Sequence, residues 1–166
     1  MNRFNTMALA GAMLAGLICA TTPVLAEAGS NPLANAKGSR IVGVYDVSID
    51  VHNCVSGAYL FSMVAMHKFE LGGTGQLLPS GNSAVVPVHM MVWEYLGDDT
   101  WRSATQFFRY DAGGVIGTGR IVNEVWLSED GTEYGGSGYS ENYDLAGNLV
   151  GVGACPSFTG TRFTGG

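Results

Sequence analysis

Three histidines, His52, His67 and His89, are the side chains in this chain best suited to proton transfer near neutral pH. In an extended strand alternate residues share a face. His67 then falls on the same side as Phe61, Met63 and Phe69, and His89 on the same side as Met91, Trp93 and Tyr95. Two inward imidazoles can hold a ligand's polar group or work as acid and base. A pair of hydrogen-bonded structural histidines satisfies the same pattern. The aromatic and methionine residues Tyr45, Phe61, Met63, Phe69, Met91, Trp93, Phe108 and Tyr110 either line a pocket or fill a core. With His67 and His89 they form the candidate ligand-binding set.

Other chemistries find less support. Gly136-Ser137-Gly138 is only a fragment of a nucleophile elbow and lacks the strand–turn–helix setting. No His-x-His or His-Glu-x-x-His spacing occurs, so no metal site is expected. No glycine cluster sits between a strand and a helix or precedes Lys-Ser/Thr, so no phosphate loop and no cofactor are expected. Glu70, Glu94 and Glu124 read as strand acids facing solvent. Arg102, Arg109 and Arg120 either receive a ligand carboxylate or pair with such acids on the outside.

The elements that must position these residues read as strands. From Arg40 onward Ile41, Gly43, Tyr45, Val47, Ile49 and Val51 alternate with polar residues that include Asp46, Ser48, Asp50 and His52. That period of two predicts a half-buried strand with the odd positions in the core. Further strand regions are predicted over 59–71, 76–78, 85–95, 100–110, 115–127, 132–143 and from 149 to near the end. They are divided by turns at 72–75, 79–82, 97–99, 111–114, 129–131 and 144–148. Asp130-Gly131 is a hairpin signal. The prediction is an all-β domain: a single antiparallel up-and-down barrel of about eight strands, with a β-sandwich as the alternative. Glycines at 113, 114, 117, 119, 135, 136 and 138 suit the bends of a tight barrel.

Residues 1–26 read as a signal peptide, with Arg3 in the n-region, an apolar stretch over 7–20 and Val24-Leu25-Ala26 before the cut. The apolar stretch is short for a membrane span, and no second one follows. Residues 27–39 read as a flexible lead-in, and 40–166 as the barrel domain. Arg3 is the only charged residue in 1–26, so eight Lys and Arg become seven against fourteen Asp and Glu, a net charge of −7. An acidic domain without a basic patch is a poor partner for nucleic acid. Cys19 leaves with the leader, and Cys54 and Cys155 remain as an even pair for a disulfide in an oxidising compartment. Such a bridge would close a loop of about 100 residues, worth on the order of 4 kcal/mol.

Gly43-Val44-Tyr45 near the first strand and Arg162 near the last resemble the lipocalin-type calycin pattern. In that family an Arg from the final strand covers a Gly-x-Trp, and Tyr45 stands here where the Trp would be. The stretches Phe107-Phe108-Arg109-Tyr110-Asp111, Asp130-Gly131, Asp144 and Thr161-Arg162-Phe163 also resemble those of small exported bacterial β-proteins. The resemblance implies an up-and-down barrel with an internal cavity. The function expected is an exported, non-enzymatic barrel that binds a small apolar or amphipathic molecule. An isomerase or cyclase like allene oxide cyclase, or a protein-binding module such as a protease inhibitor, are the alternatives.

Overall fold

The structure, a computed structural model, describes residues 37–81 and 87–165. The leader expected at 1–26 and the lead-in up to residue 36 lie outside the described residues. Nine strands follow a short 3-10 helix, Gly38–Ile41: β1 (Gly43–Asn53), β2 (Tyr59–Glu70), β3 (Thr74–Pro79), β4 (His89–Gly97), β5 (Thr100–Asp111), β6 (Gly114–Leu127), β7 (Glu133–Tyr143), β8 (Leu149–Val152) and β9 (Ala154–Arg162). Each strand from β1 to β7 pairs antiparallel with the next, β9 pairs with both β7 and β1, and the sheet closes. This is an eight-stranded up-and-down barrel with one extra short strand, β8. Closure leaves no long unpaired edge, which is how a meander with one apolar face avoids edge-to-edge association.

Period-two patterning decides the inside. On β1, Tyr45, Val47, Ile49 and Val51 are buried while Asp46, Ser48 and Asp50 face out. The same alternation buries Ala65, His67 and Phe69 on β2, His89, Met91 and Trp93 on β4, and Trp101, Ser103 and Thr105 on β5. The region read as one last strand is two. Gly153 separates β8 from β9, the N–H of Gly153 donates to the Ser140 carbonyl at 2.7 Å, and the Ser140 hydroxyl bonds both the N–H and the carbonyl of Ala154. A side chain thus completes the ladder where one residue bulges out. The turn signals also sort by type. Asp98 and Asp99 both take positive φ, the geometry of a two-residue hairpin between β4 and β5. At Asp130-Gly131 only Gly131 does, because the Asp130 carboxylate instead accepts from the N–H and hydroxyl of Thr132.

One end of the barrel is filled and tied shut. Tyr45, Phe69, Trp93, Tyr134 and Phe158 form a chain of mostly edge-on rings, with neighbouring centroids 4.7 to 6.1 Å apart. Trp101 donates its indole N–H to the Gly38 carbonyl at 2.9 Å and so pins the 3-10 helix across this end. Arg162 donates to the carbonyls of Gly131, Val42 and Arg40 and to the Tyr45 hydroxyl. Its guanidinium carbon lies 4.8 Å from the Tyr45 ring centroid. Arg40 joins Asp99 to the carbonyls of Ser128 and Glu129. Two arginines therefore lace the β4–β5 and β6–β7 turns, the segment before β1 and the end of β9 together at the closed end. At the other end the disulfide Cys54–Cys155, 101 residues apart, ties the β1–β2 turn to the start of β9. Among the described residues no helix is long and apolar enough to cross a membrane.

Candidate ligand cavity

Above the aromatic layer the barrel is hollow. A cavity of about 400 Å3 occupies the half nearer the disulfide. Its walls are apolar, with Ile49, Val51, Met63, Leu77, Ile121 and Phe158 set by the inner parity of their strands. The lining residues with polar side-chain atoms are few: His67, His89, Asn123, Ser140, Arg109 and Tyr110. A small number of polar groups in an apolar wall is the make-up of a small-ligand site.

The two imidazoles arrive by register. His67 pairs across the sheet with Leu77, and Leu77 with His89, so the three stand in a row over β2, β3 and β4. His67 Nδ1 lies 2.9 Å from the Tyr134 hydroxyl. Burial, with Tyr45 beside it, pushes Tyr134 well above the ordinary tyrosine value, so its hydroxyl keeps its proton. That proton has no other acceptor among the described residues. Tyr134 therefore donates to Nδ1, and the His67 proton sits on Nε2. His89 stacks on Phe107, with centroids 4.0 Å apart and planes at 12°. Phe107 in turn lies over Gly119, where any Cβ would overlap its ring. The glycine is what makes room for the stack.

Both imidazoles are uncharged at neutral pH. Burial first, and then the neighbouring His89, lowers His67 to about 3; burial lowers His89 to about 4. Four buried polar atoms have no hydrogen-bond partner among the described residues: His67 Nε2, His89 Nδ1, Thr105 Oγ1 and Asn123 Oδ1. Three of these belong to residues lining the cavity. Native interiors leave such atoms unpaired only rarely. Arg109, at the mouth, has no hydrogen-bond or ion-pair partner among the described residues, whereas Arg102 pairs outside with Glu94 at 3.2 Å.

The candidate residues divide between the two halves. Phe61, Met63, His67, His89, Phe108 and Tyr110 line the cavity. Tyr45, Phe69, Met91 and Trp93 belong to the packed half below it. Phe108 and Tyr110 stand at the rim, 57% and 44% exposed, and Phe107, the residue before Phe108, is the ring of inner parity that lines the cavity. Counting by twos from Trp101 through Ser103 and Thr105 would have found Phe107. The same count back from Leu127 and Val125 finds Asn123. Tyr134, which orients His67, carried no sequence signal, because its contact with β2 spans 67 residues of chain. Among the described residues that line the cavity there is no carboxylate, and Glu94 and Glu124 are exposed. Comparison with known protein families, with curated proteins and with solved structures found no match.

Proposed function

We propose that this protein is an exported, non-enzymatic, lipocalin-like barrel that binds a small apolar or amphipathic molecule in its open half. The observation that carries the reading is the cavity itself: about 400 Å3 inside a closed barrel, with mostly apolar walls and few polar side chains among the lining residues. A barrel selected only for stability would fill that volume, since each void forfeits dispersion contacts and hydrophobic burial. The leader-like segment 1–26 and the Cys54–Cys155 bridge support export to an oxidising compartment. Arg162 stacked over Tyr45 supports the lipocalin likeness. The isomerase or cyclase reading asks for a carboxylate beside an imidazole, and the described lining holds none. Imidazoles lowered to about 3 and 4 are also weak general bases at neutral pH.

The test is a titration with 1-anilinonaphthalene-8-sulfonate, together with mass spectrometry of gently purified protein. The dye should bind, and an apolar molecule should accompany the protein under native spraying. Ile121→Trp, which places an indole in the cavity, should abolish dye binding while far-ultraviolet circular dichroism stays unchanged. Equal dye affinity in that variant would put the binding on the outer surface and end the proposal.

A further inference from the structure

The cavity changes character along the barrel axis. Around His67 and His89 the polar atoms are covered: His67 Nδ1 holds the Tyr134 hydroxyl, and His67 Nε2, His89 Nδ1 and Asn123 Oδ1 each expose less than 1 Å2. What this part offers a ligand is apolar surface, from side chains such as Leu77, Ile121 and Phe107. Arg109 stands one inward position farther along β5 than Phe107, about 7 Å of strand nearer the mouth. It is the one charged side chain among the described lining residues, and it is part-buried. The other described arginines all have partners. Arg40 and Arg102 pair with Asp99 and Glu94, Arg120 bonds the Tyr143 hydroxyl, and Arg162 donates to three carbonyls. The carboxylates at the open end are engaged locally instead. Asp111 accepts from the Gly113 N–H at 2.7 Å, Glu141 from the Tyr143 hydroxyl at 2.8 Å, and Asp144 from N–H groups of its own turn. In a chain of net charge −6, the guanidinium at the mouth is thus left with its donors open to an external anion.

We infer that Arg109 is the anion-binding residue of this cavity, and that its ligand is a single-chain amphipathic anion held tail-inward with its head, in the simplest case a carboxylate, at the mouth. The inference rests on the ligand-binding reading above and names the ligand class. A guanidinium fork matches a carboxylate through two parallel hydrogen bonds. At the mouth the head keeps part of its hydration, so the pair avoids most of the desolvation that a fully buried ion pair incurs. The tail meanwhile covers apolar wall, and Phe61, Phe108 and Ile116, which line the cavity and are also exposed, continue that surface out to the rim. Head-first entry would carry the charge past Arg109 to uncharged imidazoles. A hydrocarbon or an alcohol fills the same wall but gains no ion pair. An ammonium meets a like charge at the mouth and no carboxylate in the described lining. At about 30 Å3 for each water-sized unit, the volume holds on the order of a dozen non-hydrogen atoms, a chain of medium length.

The experiment is isothermal titration of the purified protein at pH 7 with three probes of one chain length: decanoate, decanol and decylamine. Decanoate should bind about tenfold tighter than decanol, the weight of a charge-assisted hydrogen bond at a part-exposed site. Decylamine, as its ammonium, should bind weakest. Arg109→Gln should bring decanoate down to the level of decanol while leaving decanol affinity within about twofold. Arg109→Glu should reverse the order of decanoate and decylamine, a change that loss of a merely structural residue would not produce. Arg109 has no hydrogen-bond partner in the fold, so both variants should keep the native far-ultraviolet circular dichroism. Equal affinity for decanoate and decanol in the native protein would overturn the proposal and leave the apolar-binding reading standing. A decanoate preference that survives in Arg109→Gln would overturn it too, because the anion would then sit elsewhere. If none of the three binds, both this proposal and the ligand-binding reading fall. The comparison in the native protein needs no variant, so it tests the ligand class even where a variant does not fold.

Discussion

His67 couples the packed half of the barrel to the hollow half, and its burial makes it a pH-sensitive residue. Its folded value of about 3 lies below the ordinary histidine value of 6.5, so the unfolded chain binds the proton more readily. Stability therefore rises with pH across the interval between those values, and is lost as pH falls from about 6.5 toward 4. His89, at about 4, acts in the same direction over much of the same interval. The two together should weaken the fold by on the order of a few kcal/mol by pH 4, relative to pH 7. Thermal melts between pH 7 and pH 4 should show a falling Tm. In His67→Phe the fall should be shallower, although that variant is less stable at pH 7 because Tyr134 loses its acceptor. A native slope no steeper than that of the variant would contradict the buried, neutral imidazole.

Among the elements, β5 and β6 do most to shape the cavity. Their ladder runs in register from Thr100↔Trp126 to Arg109↔Gly117, and then slips by one residue before Tyr110↔Val115. Ile116 is the residue left over, and it turns into the cavity rim. Within the regular part, Gly119 sits opposite Phe107 and lets that ring lie flat beneath His89. Gly119→Ala should push Phe107 and its stacking partner into the cavity. The overpacking should cost about 1–3 kcal/mol. Dye affinity should fall at the same time, because the displaced ring takes volume from the ligand. Chemical denaturation and dye titration of the same variant check both halves of the expectation. Unchanged affinity would mean that Phe107 does not bound the ligand.

At the scale of the whole molecule, a barrel with one stoppered end and one open end needs stability that does not depend on filling the open half. The closed end has it in the aromatic layer and in the hydrogen bonds of Arg40 and Arg162. The open end has the Cys54–Cys155 bridge, which joins turn 54–58 to β9 beside β1. Closing a loop of that length is worth on the order of 4 kcal/mol in the chain-entropy model. Cys54→Ser and Cys155→Ser should lower Tm by similar amounts, and the double variant should lose little more than either single one. Losses that add would mean that each cysteine stabilises by its own packing. The bridge also restrains the rim, so the same variants should release a bound dye faster.

The alternation of Tyr45, Val47, Ile49 and Val51 with Asp46, Ser48 and Asp50 settled strand and inner face without any structure, because a pleated chain sends neighbouring side chains to opposite sides. The all-β barrel class, most of the turns and the partnership of Cys54 with Cys155 were legible for similarly local or compositional reasons, whereas the break at Gly153 that divides the last region into β8 and β9 was not. Which inward residues would be packed and which would border a cavity was not legible. Tyr45 and Phe61 look equivalent in the sequence, yet one lies beneath Arg162 and the other at the rim. Depth along a barrel axis depends on the stagger of all eight strands, and no single strand encodes it. The Tyr134 hydroxyl on His67, the Phe107 ring over Gly119 and the unpartnered Asn123 oxygen exist only once that stagger is set. Tertiary structure decided the chemistry of the cavity because its polar atoms come from strands far apart in the chain.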